Sequence, residues 1–259
     1  MNSSRRQFLK IGSAGAACAA LGMSAEPVLG MIFPPLNYPV PPEAHLLYPS
    51  GIRFLAAGVG LPSMTPEGYD SVIDKIVPAA EKLAKDGANA ISIMGTSLTF
   101  YKGVAFHQQL VDSVHKATGL ATTTMSNGIL EGLRAAGAHR VAVATAYNVE
   151  VTNRLKIFLE ESGFEVIKAK GLGVEKGGIP KSAQEHLADF SAEVFESAPK
   201  ADSLVISCGA LKTLDLLVPL EQLCKVPVVS STPHALWASV RLLGFSGRVE
   251  GYGSVLAKG

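Results

Sequence analysis

The chain of 259 residues carries a formal net charge of +1 and is 47% hydrophobic and 17% charged. A nearly neutral chain lacks the basic surface that nucleic-acid binding requires, so we expect no nucleic acid among its partners. Its length and apolar content suffice for a sizeable core, in one large domain or in two lobes.

The N-terminus predicts an export signal. Residues 4–10 read Ser-Arg-Arg-Gln-Phe-Leu-Lys, which is the twin-arginine pattern, and an apolar stretch of small residues follows at 11–21. We expect residues 1–26 to be a signal segment and the mature protein to be periplasmic or exported. Because the apolar stretch is too short for a stable span, no membrane association is expected after the signal is removed.

The chain has three cysteines, Cys18, Cys208 and Cys224. Cys18 lies in the predicted signal, and the two remaining thiols do not make a disulfide framework. Cys224 stands before Lys-Val-Pro, so we interpret it as a small buried apolar residue at a helix end or turn.

Along the mature chain, strand and helix patterns alternate. Strands are predicted at 28–33, 54–59, 90–94, 121–125, 140–145, 165–170, 204–207 and 226–230. Helices are predicted at 69–86, 104–118, 127–136, 149–163, 181–198 and 233–243. This alternation is typical of an α/β protein with parallel sheets that are covered by helices on their faces.

The chain also repeats itself weakly. One apolar strand ends in Gly95 and a similar strand ends in Cys208, and each half then has a helix and a strand that ends in serine. We therefore predict two similar Rossmann-like lobes, related by a pseudo-twofold axis, with the site in the cleft between them. The first lobe is assigned to residues 27–126 and 232–259, and the second to residues 127–231.

In this repeat one thiol, Cys208, faces one glycine, Gly95. A single thiol at the end of a buried strand predicts a site that moves a proton on only one face of a substrate. From the residues alone, a catalytic Cys208 and a buried structural cysteine remain equally open.

Several uncommon strings carry a resemblance to a known family. They lie at 30–35, 47–49, 65–70, 94–98, 100–101, 123–126, 144–147, 207–209, 214–215, 227–231 and 251–253. In these strings the sequence resembles the arylmalonate decarboxylases of the aspartate/glutamate racemase superfamily. The resemblance implies two Rossmann-like lobes and a carboxy-lyase that removes carbon dioxide from aryl- or alkenyl-substituted malonates. It also implies a small dicarboxylate as the substrate, and neither a metal nor a cofactor.

The resemblance further assigns roles in the predicted cleft. Cys208 would protonate one face of the enediolate that is left after carbon dioxide departs. The enediolate would be held by the hydroxyls of Thr96, Ser97 and Tyr147 and by backbone N–H groups near Thr96, Cys208 and Gly209. Glycine at 95 and 209 would let the backbone approach the carboxylate closely. An apolar pocket for the departing carboxylate would be lined by Pro34, Leu61 and Met64.

Two other functions stay open. Racemases and maleate isomerases of the superfamily use two cysteines, one from each lobe, and Gly95 at the first of these positions argues against both. An exported binding protein for small carboxylates would use the same donors without any chemistry. The oligomeric state is also open, with a monomer slightly favoured.

Some residues depart from the family pattern or fall outside it. Charged Glu175 and Lys176, with glycines and Pro180, occupy a loop where the family carries bulkier apolar residues, so the substrate preference is open. His234 replaces a small residue and is expected at the cleft. The other histidines are expected at the surface or at helix ends, and none has metal-ligand spacing. The Gly-x-Gly at 58–60 lacks the third glycine of a dinucleotide site.

Overall fold

The computed structural model describes residues 26–175 and 178–259. The predicted export signal and Lys176 lie outside the described residues. The first of two sheets consists of β1 (Val28–Phe33), β2 (Arg53–Gly58), β3 (Ala90–Ile93) and β4 (Ala121–Thr124). The second consists of β5 (Arg140–Thr145), β6 (Glu165–Gly171), β7 (Ser203–Ser207) and β8 (Val228–Ser230).

Both sheets are parallel and have the same topology. Their strand orders are β2-β1-β3-β4 and β6-β5-β7-β8, so the second strand of each set lies at one edge and the first and third lie at the centre. The predicted α/β fold with two similar parallel sheets is confirmed. Strands β1, β3, β5, β7 and β8 are almost wholly buried, which explains why they read as continuous apolar runs in the sequence.

Eleven helices in the described ranges cover the sheets. They are α1 (Pro42–Leu47), α2 (Pro66–Asp70), α3 (Ile76–Lys85), α4 (Thr96–Phe100), α5 (Gly103–Thr118), α6 (Met125–Ala136), α7 (Val149–Glu161), α8 (Lys181–Glu185), α9 (Leu187–Glu196), α10 (Leu217–Cys224) and α11 (Ser231–Arg241). None of these helices has both the length and the apolar content to cross a membrane.

Helices α6 and α11 join the two halves of the molecule. They pack so closely that a Cβ at Gly128 on α6 would lie 2.6 Å from the Cα of Ala235 on α11. Although α11 follows the second sheet, its Ser239 hydroxyl donates to Ser92 on β3 of the first sheet at 2.8 Å. After α11, the chain returns to the first half, where the Tyr48 hydroxyl donates to the carbonyl of Gly247 at 2.8 Å. These contacts support the lobe boundaries, which stay a prediction.

Two segments that were predicted to be single continuous helices are each divided in the structure. The segment 69–86 is divided into α2, a 3₁₀ turn at Ile73–Lys75 and α3, because Val72 (φ −125°, ψ −6°) leaves the helical conformation. The Thr65 hydroxyl accepts from the Gly68 N–H at 3.3 Å, and α2 accordingly begins at Pro66, as the sequence Thr-Pro-Glu at 65–67 indicates. The segment 181–198 is likewise divided at His186 into α8 and α9.

Two short helices, α1 and α4, were not predicted, and α10 was expected after the Cys208 strand but without bounds. All five residues of α4 are buried, so this helix has no polar face and shows no amphipathic periodicity. Helices α1 and α10 both contain proline, and their six and eight residues are too few for a clear periodic pattern. Since α4 begins one residue after Gly95, the missed helix is the one that carries part of the site.

Candidate active site

A cavity lies between the carboxyl ends of the two sheets, with about 790 Å³ of empty space that includes its opening to solvent. It is lined by Phe33, Pro34, Pro35, Tyr38, Leu61, Pro62, Ser63, Met64, Met94, Gly95, Thr96, Ser97, Tyr147, Glu175, Gly178, Cys208, Gly209 and Ala210. All nine residues to which the resemblance assigns a role in the site are in this set. The structure therefore brings them together, and their roles remain predictions.

The central strands of the two sheets deliver the facing residues. Strand β3 ends just before Met94 and Gly95, while β7 ends just before Cys208 and Gly209. A Cβ at position 95 would lie 2.7 Å from Pro34 Cγ, and one at 209 would lie 2.9 Å from the sulfur of Met125. A side chain at position 95 would therefore press against Pro34, and one at 209 against the flexible end of Met125, so a substitution at either turn requires its neighbour to shift.

The Cys208 thiol is free, and the residue is 5% exposed. Burial raises the pKa of Cys208 above its ordinary value of 9.0, while N–H groups of Ala210 and Leu211 and the Tyr147 hydroxyl oppose the rise. At neutral pH the sulfur is therefore a protonated thiol, which can give a proton but is a poor nucleophile.

Tyr147 lies close to this thiol. The residue is almost fully buried, its ring packs edge-on against Phe100, and its hydroxyl is 3.5 Å from Ser207 Oγ. Burial and then the nearby Cys208 raise the pKa of Tyr147 well above 10, although the Ser207 and Thr96 hydroxyls oppose this shift. The phenol consequently stays protonated and can donate a hydrogen bond.

Ser231 connects the two sides of the cleft, a role that sequence reasoning missed. The Thr96 hydroxyl donates to Ser231 Oγ at 3.0 Å, and the backbone N–H of Cys208 donates to the same oxygen at 3.1 Å. The sequence indicated Ser231 only as the end of a strand. The N–H of Cys208 is directed at Ser231 in this structure, and the binding of substrate by an N–H near Cys208 stays a prediction.

Other cleft residues were also missed. Tyr38 stacks on Phe33 with ring centroids 4.7 Å apart and forms part of an aromatic wall. Behind Ser97, Tyr69 of α2 is fully buried, which raises its pKa, while the Ser97 hydroxyl opposes the shift. Tyr38 follows a Pro-Pro turn after β1, so its position after a strand end is the one local signal that would have pointed to it.

Glu175, an exposed residue, is among those that line the cavity. Its Oε1 accepts from Asn148 Nδ2 at 2.7 Å, and its backbone carbonyl accepts from the Met64 N–H at 2.9 Å. The second bond joins the loop after β6 to the segment after β2, across the cleft. The wall predicted to be apolar around Met64 therefore carries a charge, which agrees with the departure from the family pattern noted in the sequence.

The predicted position of His234 at the cleft is wrong. The side chain is fully buried and lies against Gly132 of α6, and its Nδ1 accepts from the Ser230 N–H at 3.0 Å. The reason is the orientation of α11, because the face of the helix that carries His234 is directed toward α6 and away from the cavity. Burial lowers the pKa of His234 to about 4, so the ring is neutral.

His107 was expected at the surface and is instead buried. Its Nε2 lies 2.8 Å from the Thr124 hydroxyl, its ring packs edge-on against Phe158, and burial lowers its pKa to about 4. Cys224 ends α10 as expected but is only partly buried. Within the described ranges, no three His, Cys, Asp or Glu side chains converge in a way that would hold a metal ion.

Fold and site together define a two-lobed α/β enzyme with a lone cysteine at an interlobe cleft. A profile of the arylmalonate decarboxylase family matches residues 29–256, and the chain belongs to this family. It is therefore a decarboxylase, a carboxy-lyase. A profile of the twin-arginine signal matches residues 2–22, so the protein is exported across the membrane to the periplasm, as its N-terminus predicted.

Individual relatives agree with this assignment. The chain is 44% identical over 234 residues to arylmalonate decarboxylase of Bordetella bronchiseptica, covering 89% of this chain and 96% of that enzyme. A liganded crystal structure of a double variant of arylmalonate decarboxylase superimposes with a TM-score of 0.84 at 43% identity, covering 88% of this chain and 98% of the other. A maleate isomerase of Pseudomonas putida S16 reaches a TM-score of 0.80 at 20% identity, covering 90% and 98%, and shows the shared fold alone.

Proposed function

We propose that this enzyme decarboxylates aryl- or alkenyl-substituted malonates without a cofactor and protonates the product from one face with Cys208. The observation that carries the proposal is the asymmetry of the cavity. A protonated thiol stands at the end of β7, whereas the equivalent position at the end of β3 is Gly95. One proton donor on one side predicts a single enantiomer of the monocarboxylic acid.

The retained carboxylate would be held at the polar end of the cavity. This part of the proposal is supported by the presence of Thr96, Ser97, Tyr147 and Gly209 among the residues that line the cavity. These groups are fixed by the protein before the substrate arrives, so they stabilise negative charge as it grows on the carboxylate without having to reorganise. The preorganised donors would thus stabilise the enediolate more than the bound substrate.

The departing carboxylate would lie against Pro34, Leu61 and Met64, where its charge is poorly solvated. The bond between this carboxylate and the α-carbon breaks, its electron pair passes into the enediolate, and neutral carbon dioxide leaves. The α-carbon then takes the proton of the Cys208 thiol, and the resulting thiolate recovers a proton from solvent. Atoms and charge balance without any further reactant.

The aromatic and aliphatic walls support a large apolar substituent. Phe33 and Tyr38 form a stacked pair beside Pro35 and Leu61 at the cavity. An aryl group placed there would bury apolar surface and gain contacts with the ring faces. These walls favour aryl malonates over malonate itself.

The test is the release of carbon dioxide from phenylmalonate and α-methyl-phenylmalonate by purified mature protein. Cys208→Ser should lose most of the activity, because serine is a far weaker acid. Cys224→Ser is the matched control and should keep full activity, since Cys224 lies at the end of α10, outside the cavity. A wild-type protein that binds phenylmalonate without ever releasing gas would identify a carboxylate-binding protein instead, and turnover of maleate would favour the isomerase function.

A further inference from the structure

Ser231 occupies an unusual position for a buried hydroxyl, because it receives hydrogen bonds from both halves of the molecule. Its residue is 1% exposed. Thr96 from the first half and the N–H of Cys208 from the second both donate to its Oγ, at 3.0 Å and 3.1 Å. A hydroxyl can accept two hydrogen bonds and donate one. Ser231 Oγ accepts both of these bonds, so it can still donate its own hydrogen to another group.

Comparison of equivalent positions in the two halves of the pseudo-twofold repeat shows that only one half has a hydroxyl at the position of Ser231. Ser231 is the first residue of α11, and Met125 is the first residue of α6. At the second residue of each helix the two sides still agree, since Ser126 donates to the Thr96 carbonyl and Thr232 donates to the Gly209 carbonyl. The first position therefore breaks the symmetry, with a hydroxyl on one side and a thioether on the other.

We infer that Ser231 is a positioning residue that completes a chain of hydrogen bonds ending on the substrate. When a carboxylate binds, the Thr96 hydroxyl hydrogen turns from Ser231 toward the carboxylate, and Ser231 donates its own hydrogen to Thr96 Oγ1. The Cys208 N–H keeps donating to Ser231. The 3.0 Å Thr96–Ser231 contact is aligned for donation from Thr96, so a small rotation of the Ser231 side chain would be needed for donation in the opposite direction.

This chain would make Thr96 a stronger donor. Each hydrogen bond in a buried chain polarises the next, so a Thr96 hydroxyl that accepts from Ser231 donates more strongly to an anion. It also gives the Cys208 N–H a part in charge stabilisation, although this group does not point at the cavity. The benefit grows with the charge on the substrate oxygen, so it is larger for the enediolate than for the bound malonate. The inference rests on the proposed decarboxylation and deepens it.

The first test is Ser231→Ala. We expect kcat for phenylmalonate to fall roughly 10-fold while KM changes by less than about threefold, since the lost interaction strengthens in the transition state. The enantiomeric excess from α-methyl-phenylmalonate should stay unchanged, because Cys208 still supplies the proton. Ser231→Thr retains a hydroxyl and should recover most of the lost kcat.

Ser239→Ala is the matched control. Ser239 lies on the same helix, is fully buried and also donates to the first half, at Ser92. Unlike Ser231, which is hydrogen-bonded to the cavity residues Thr96 and Cys208, Ser239 has no hydrogen bond with any described residue that lines the cavity. Its loss should lower stability without changing kcat per folded molecule. If Ser239→Ala and Ser231→Ala lower kcat equally, or if Ser231→Ala changes the enantiomeric excess, the hydrogen-bond chain is refuted.

A double-mutant cycle tests the chain even if Ser231→Ala is poorly folded. In a Thr96→Val background the chain is already broken, so Ser231→Ala should cost less than about twofold in kcat, with rates referred to the folded fraction. An undiminished effect in that background would overturn the inference. A wild-type enzyme that releases no carbon dioxide would refute the proposed function and this inference with it, whereas an active wild type with an unaffected Ser231→Ala variant would refute the inference alone.

Discussion

The chemistry of the cleft depends on the protonation state of one residue, Cys208. Burial raises the pKa of its thiol above the ordinary value of 9.0 and raises the pKa of the Tyr147 phenol well above 10. A proton donor works only in its protonated form. The environment of Cys208 thus supports its use as an acid and disfavours its use as a thiolate nucleophile.

This protonation state predicts a pH profile. Around neutral pH the decarboxylation rate should be nearly constant, and it should fall as the pH rises through the raised pKa of the thiol. Initial rates of carbon dioxide release from phenylmalonate between pH 7 and 10.5 provide the measurement. A rate that instead rises through this range would show that the thiolate is the active form and would contradict the proposed role.

Gly95 predicts the effect of a second thiol. In Gly95→Cys a proton acceptor would stand on the face opposite Cys208, so the enzyme should slowly racemise its 2-phenylpropionate product. Because a Cβ at this position lies 2.7 Å from Pro34 Cγ, the variant should also lose about 1–3 kcal/mol of stability. Chiral chromatography of the product over time would measure racemisation.

Gly95→Ser is the control for this variant. It introduces the same crowding against Pro34 without a thiol, and should therefore lower decarboxylation without any racemisation. Equal racemisation by both variants, or none by a folded Gly95→Cys that still releases carbon dioxide, would refute the two-face argument.

At the scale of elements, two loops meet across the cleft, and their side chains determine the polarity and charge of its wall. The segment after β2 brings Leu61 and Met64, and the loop after β6 brings Glu175 and Gly178. The hydrogen bond between Met64 N–H and the Glu175 carbonyl holds these segments together. A negative side chain in this wall opposes a substrate that carries two carboxylates.

We therefore predict that Glu175→Gln raises kcat/KM for phenylmalonate by about two- to tenfold at low salt, because it removes a like charge. Glutamine retains an oxygen that can accept from Asn148, so the loop should keep its structure. The gain should shrink at high ionic strength. Glu165→Gln is the control, since Glu165 is exposed at the start of β6, at the end of the strand away from the cleft. A fall in kcat/KM would show that Glu175 assists the reaction.

At the scale of the whole molecule, two neutral histidines lie where the halves pack together. His107 on α5 contacts Phe158 on α7, and His234 on α11 lies against Gly132 on α6. Burial lowers the pKa of each ring from 6.5 to about 4. Between pH 6.5 and 4, these histidines bind protons in the unfolded chain but stay neutral in the folded protein. Their contribution to the stability of the fold is therefore fully present above pH 6.5 and is lost as the pH falls toward 4.

The predicted result is a fall in the free energy of unfolding on the order of 3 kcal/mol per histidine between pH 6.5 and 4. Urea denaturation of the mature protein across this range would measure it. His107→Gln should be less stable than the wild type at pH 8 but should lose less stability on acidification. Parallel pH curves for the two proteins would show that His107 does not contribute.

Seven of the nine predicted cavity residues came from the resemblance to the family. The sequence by itself determined the strands, their alternation with helices, the repeat and the two facing residues Gly95 and Cys208. It could do so because a buried parallel strand is a continuous apolar run, and a side chain at its carboxyl end lies at the cleft in any fold of this class. Gly95 and Cys208 were recognisable for this reason. Each is the local end of a strong pattern.

Only the tertiary structure decided which groups meet away from those strand ends. Thr96 and Ser231 are 135 positions apart, and their hydrogen bond leaves no trace in either local pattern. The same holds for His234, whose direction depends on how α11 rotates against α6, and for Glu175, whose carbonyl is bound by Met64 from the other half. Contacts between distant segments depend on how the helices and sheets pack in three dimensions, and this packing produces no periodic pattern in the sequence.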